Sequence, residues 1–85
     1  MTKREQEILR TLLRVGHDLD GGQLDERLLH AQINLTLKPA ASLQEFEAMK
    51  RHAITEGWLQ AVRGKLGGEK LSLTDLGEAA FQETR

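Results

Sequence analysis

Cysteine is absent from the 85 residues, which excludes disulfides, thiolate nucleophiles and thiolate zinc sites. A domain this small without a cross-link must rest on its hydrophobic core alone or on a partner chain. A reducing compartment such as the cytoplasm is compatible with that composition. No apolar run approaches the roughly 20 residues that a membrane helix needs. Residues 1–7 contain no apolar core, so no secretory signal is expected. There is no low-complexity tract, no internal repeat and a single proline, Pro39. An excess of one charge is also lacking. Twelve basic side chains face thirteen acidic ones, for a net charge of -1, so bulk charge gives no push toward nucleic acid. Any such binding has to come from local clustering. What remains is globular composition, 39% hydrophobic and 29% charged, in a chain with room for one small domain.

Glycines punctuate the chain, and the hydrophobic period changes between them. Residues 2–15 predict a helix. Thr2 and Glu5 make a capping box, Ile8, Leu9, Leu12 and Leu13 share one face, and Gly16 is the expected stop. A polar loop, residues 17–23, leads to a second helix capped by Asp25, with Leu28, Leu29 and Ile33 as its buried side and Asn34 as a left-handed end. Residues 35–41 form a connector stiffened by Pro39. Ser42 and Glu45 then make a second capping box, at the head of a third helix over residues 43–56. Leu43, Phe46, Met49, Ala53 and Ile54 form its stripe, and Gly57 ends it. After Gly57 the pattern turns to strands. Residues 58–63 and 69–73 flank a glycine-rich tip, residues 64–68, and Thr74 caps a last helix over residues 75–84. The fold class is mainly α with a small β-hairpin, in the order helix, helix, helix, strand, strand, helix. An isolated hairpin is marginal in water, so this one needs helices beneath it.

The stretch Ile54-Thr55-Glu56-Gly57-Trp58-Leu59, followed by Leu71-Ser72-Leu73-Thr74-Asp75-Leu76-Gly77, resembles a segment of many bacterial winged-helix regulators. In those proteins the recognition helix ends at a glycine, an aromatic opens the wing, and the return strand runs into a leucine-threonine-x-x-glycine helix start. The resemblance spans nearly the whole chain, residues 1–85. It implies a helix-turn-helix variant with a β-hairpin wing over residues 58–73, and double-stranded DNA as the partner. The longer connector at residues 35–41 and the slightly acidic balance depart from the usual pattern.

With its apolar stripe turned inward, the third helix presents Gln44, Ala48, Arg51, His52 and Thr55. Glutamine can bind adenine and arginine guanine bidentately, while alanine or threonine can touch a thymine methyl. Glu45 and Glu47 flank the row and would repel phosphates, and Lys50 points toward the apolar side, with its head expected to snorkel out to solvent along its stem. The same row also suits an ordinary solvated face or a protein contact. The wing carries Arg63, Lys65 and Lys70, suited to backbone or minor-groove contact, or simply to blunting an exposed sheet edge. Leu66 at the tip either caps the hairpin locally or meets a partner.

Other motifs fail on spacing. The tip lacks the lysine-hydroxyl pair of a P-loop. Asp18, Asp20 and Asp25 do not follow a calcium-loop pattern. His17, His30 and His52 lie on different elements, so no metal or other cofactor is expected. No catalytic set stands out, and an enzyme is not expected. Trp58 is expected in the core. If Leu76 and Ala80 face inward, Phe81 stands off their stripe, as a second edge of the core or as an exposed aromatic for self-association. The sequence thus yields two readings. One is a winged-helix regulator of transcription, dimeric through Phe81 or Leu66. The other is a winged-helix protein-interaction module with no nucleic-acid binding.

Overall fold

A computed structural model describes residues 1–66 and 68–84. Gly67, placed by the sequence at the hairpin tip, lies outside the described residues. Helix α1 covers Lys3–Asp18, strand β1 Leu24–Asp25, helix α2 Glu26–Ile33, helix α3 Leu43–Thr55, strand β2 Leu59–Arg63, strand β3 Glu69–Leu73 and helix α4 Asp75–Thr84. The expected order holds, with one strand added before α2.

Both capping boxes form. The Glu5 amide donates to Thr2 Oγ1 at 3.0 Å, and the Glu45 amide to Ser42 Oγ at 3.1 Å, with each glutamate returning to the amide of its cap residue. Each box satisfies backbone donors that a helix start leaves unpaired, which is why these two starts fall where local spacing puts them. Gly57 ends α3 at φ +79, a left-handed conformation that glycine adopts without steric cost.

Gly16 does not stop α1. The helix runs on to Asp18, and Gly16 is buried where β3 crosses it: a Cβ there would lie 3.1 Å from Leu73 Cβ. The reversal falls instead at Asp20 and Gly21, both at positive φ. Beyond it Leu24 and Asp25 pair with Leu71 and Lys70, giving an antiparallel sheet of order β1-β3-β2. A two-residue strand has no period for a sequence to display. Asp25 also caps α2, accepting from the Arg27 amide at 2.9 Å. Leu29 and Ile33, one turn apart, are the buried side of that helix. Leu28 is exposed, because about 100° of rotation separates it from Leu29. Asn34 stays right-handed at φ -77, and its side chain holds both the amide and the carbonyl of Ala41. The connector is thereby fixed, and Leu37 and Ala41 join the core.

On α3, Phe46, Met49 and Ala53 are buried, but Leu43 is exposed: in the first turn it projects past the end of the core. Trp58 is half-buried, packed against the core rather than within it, and lines a groove of about 260 Å³ between α1 and α4. The last helix is turned differently from the expectation. Its inward residues are Gly77 and Phe81, spaced i, i+4, while Leu76 is 64% exposed. Gly77 packs on the Trp58 carbonyl, a place where no side chain fits, and this rotates Phe81 onto His17 at a ring distance of 4.6 Å. Phe81 is therefore a core residue and offers no exposed aromatic for a second copy. Among the described residues, no helix is long and apolar enough to cross a membrane.

Candidate nucleic-acid interface

Gln44, Ala48, Arg51 and Thr55 follow one another at helical spacing on the exposed side of α3. His52 leaves that row. It is half-buried and meets Trp58 edge-on at 5.8 Å, so it belongs to the junction between α3 and the wing.

The two flanking carboxylates are both engaged. Arg4 of α1 donates to Glu45 at 3.2 Å, and also to the carbonyls of Pro39 and Ala40. The Arg4 guanidinium, followed by the Ser42 amide, holds the Glu45 carboxyl below its ordinary value of 4.5. Glu47 lies 3.0 Å from Lys50 Nζ. Arg4 and Glu45 are 41 positions apart, so no local pattern could have paired them.

Lys50 was legible only as a cation on an apolar stripe with its head in solvent. It is instead buried and gathers three carboxylates from three elements: Glu26 at 2.8 Å, Glu47 at 3.0 Å and Glu69 at 3.8 Å. It thereby ties α3 to the start of α2 and to the tip end of the wing's return strand. Burial opposes its charge, but the hydrogen bonds it donates to Glu26 and Glu47 outweigh burial and raise its pKa above the ordinary 10.5. A folded-state value raised in this way adds stability that is complete below the unfolded value and lost as pH rises through the folded value. Lys50→Met should cost about 1–3 kcal/mol, because it leaves three carboxylates facing one another. Urea midpoints of the two proteins should keep a constant gap up to about pH 10 and converge only as pH climbs from there through the raised folded value and the lysine discharges. A gap still constant across that climb would mean the three ion pairs add nothing.

Arg51, Arg63, Lys65 and Lys70 are all exposed, and none forms an ion pair among the described residues. Cross-strand register divides the wing cations between faces. Arg63 stands opposite Glu69, on the face that carries the buried Leu59 and Leu71, whereas Lys70 stands opposite Val62 on the reverse face. Lys65 lies in the turn that joins the strands, closed by the Gly64 amide donating to the Gly68 carbonyl at 2.7 Å. Among the described residues, no group of three histidine, aspartate or glutamate side chains is placed to hold a metal.

No protein-family model matches the chain, and no curated protein sequence matches it. Among solved structures, F93 from STIV, described as a winged-helix DNA-binding protein, superposes with a TM-score of 0.73. The match covers 99% of this chain and 86% of the other, at 19% sequence identity. At that identity the likeness is one of fold.

Proposed function

We propose that this chain, a winged-helix domain by fold, binds double-stranded DNA and regulates transcription, acting in the cytoplasm without a cofactor or a catalytic step. The observation that carries the reading is the division of charge around α3. Glu45 and Glu47 are held by Arg4 and Lys50, while Arg51 and the wing cations Arg63, Lys65 and Lys70 form no ion pair among the described residues. A chain of net charge -1 can thus present a cationic side to phosphate. The DNA-binding description of its fold neighbour supports the same reading. In this proposal α3 enters the major groove, with Gln44, Ala48, Arg51 and Thr55 at the base edges and His52 bracing the helix against the wing. Arg63, Lys65 and Lys70 contact backbone or minor groove.

Duplex binding by fluorescence anisotropy at two salt concentrations tests it. Arg51→Ala should cost about 1–3 kcal/mol on a preferred site and relax the preference at one position. Lys65→Ala should weaken all duplexes alike and lower the salt slope by about one unit, because a phosphate contact releases counterions without reading sequence. No binding at about 50 mM salt and micromolar protein, where non-specific binders register, would sink the proposal. The protein-interaction module would then replace it.

Pairing of two copies is the finer part of this reading, since one recognition helix covers about one half-site. With Phe81 buried, the surfaces left for a second copy are the exposed Leu66 and the apolar groove beside Trp58. Arg10 and Glu83 line that groove, and neither forms an ion pair within the chain among the described residues. Across a two-fold axis each would face the other's counterpart. Sedimentation of the DNA-bound protein as a monomer would remove this part.

A further inference from the structure

Leu66 is the most exposed large hydrophobic side chain among the described residues, at 101%. The other exposed leucines, Leu28, Leu35, Leu43 and Leu76, lie between 56% and 69%, partly covered by the helices or turns that carry them. Leu66 gains nothing from the fold, because it projects from the outermost turn of the wing with no neighbour to cover it.

Three cations stand around it. Lys65 precedes it, Arg63 lies on one face of the ribbon and Lys70 on the other. Two acids lie nearby, and each has a contact within the chain. Glu69 is turned toward Lys50 at 3.8 Å, and Asp25 caps α2 through the Arg27 amide at 2.9 Å. Cations on both faces with an apolar group at the tip do not suit a flat surface, which could engage one face only. They suit a cleft with two anionic walls and an apolar floor. The minor groove of a duplex has that form, with phosphate rows on either side of stacked bases, and at about 6 Å wide it admits the tip of a ribbon but not its body.

The geometry points to Leu66 as an apolar wedge, carried by the wing tip into the minor groove and partly unstacking one base step. This rests on the DNA-binding reading and deepens it: Lys65, Arg63 and Lys70 hold the groove walls while the leucine side chain enters between bases. Unstacking is cheapest at flexible pyrimidine–purine steps, so the preferred target of the wing is a TA or CA step beside the major-groove site. A position that α3 never touches thereby acquires sequence preference.

The test uses the full chain and duplexes of about 30 base pairs, long enough to bend measurably. Each carries 2-aminopurine at one TA step and a dye at each end. Wild-type protein should bind by anisotropy, brighten the 2-aminopurine as its step unstacks, and shorten the end-to-end distance. Leu66→Ala removes no packing, so the variant stays folded. It should bind about 5–10-fold more weakly with the same salt slope, and lose both the brightening and the bend. Lys65→Ala should do the reverse, lowering the salt slope while keeping the brightening. Wild-type binding without brightening, or equal signals from Leu66→Ala, would overturn the wedge and leave the DNA reading standing. A fall in sedimenting mass with Leu66→Ala would make the leucine a contact between copies and overturn it too. Absence of any duplex binding would overturn the DNA reading itself, and the wedge with it.

Discussion

Phe46→Ala should lose about 3–5 kcal/mol of stability, a large share of the roughly 5–15 kcal/mol that a domain possesses. Phe46 is the largest fully buried side chain among the described residues, 1% exposed, and it faces inward near the start of α3. Its ring stacks on His30 at 4.6 Å and 11°, and His30 Nε2 donates to the Ala41 carbonyl at 2.8 Å. That carbonyl also accepts from Asn34, so the wall of the resulting cavity is held by hydrogen bonds and cannot simply collapse into the space. The cost of a large-to-small change rises with the volume left unfilled, which places this site toward the upper end of the range. Urea unfolding followed by helical circular dichroism measures it, and Phe46→Leu, which leaves a smaller void, should lose less. A loss below about 1 kcal/mol would mean that the ring is not enclosed.

Gly77→Ala should cost about 3 kcal/mol or more, beyond the usual price of overpacking. The direction is the informative part. In an unobstructed helix the same change gains about 1 kcal/mol, since alanine is the better helix former. Here a Cβ would lie 2.1 Å from the Trp58 carbonyl oxygen and 2.6 Å from Leu73 Cδ1. The Trp58 carbonyl cannot give way, because it accepts from the Thr74 amide at 3.0 Å and lies within reach of the Thr74 hydroxyl. Helix α4 would have to lift, drawing Phe81 off His17 and opening the core edge. Gly21→Ala is the control. It has open space but φ +86, so it should show only conformational strain, about 1 kcal/mol. A neutral or stabilising Gly77→Ala, read from thermal and urea midpoints, would contradict the docking of α4 on the wing base.

How much of this was legible beforehand depends on the distance over which each feature is specified. The starts at Thr2, Asp25, Ser42 and Thr74 were readable because a cap acts within two or three residues. The end of α3 at Gly57 was readable because the hydrophobic period changes there. The exposed row Gln44, Ala48, Arg51 and Thr55 followed from helix spacing once Phe46, Met49 and Ala53 were turned inward. His52 could not be separated from that row, since its contact with Trp58 joins two elements.

The sequence by itself determined the order of elements, the caps and the near balance of charge, all of which follow from short-range spacing and composition. Tertiary structure alone decided which side of each element faces in, because a helix with apolar residues on two sides is oriented by what it meets. Gly77 against the Trp58 carbonyl selected Phe81 over Leu76 for the core, and Leu73 against Gly16 carried α1 past its expected stop. The same holds for charge. Thirteen acids and twelve bases gave no preferred partner, until folding brought Arg4 to Glu45 and Lys50 to three glutamates and left Arg51, Arg63, Lys65 and Lys70 facing solvent. Coulomb interactions and hydrogen bonds act over a few ångströms in space, and positions far apart in the chain reach that range only once the helices have packed.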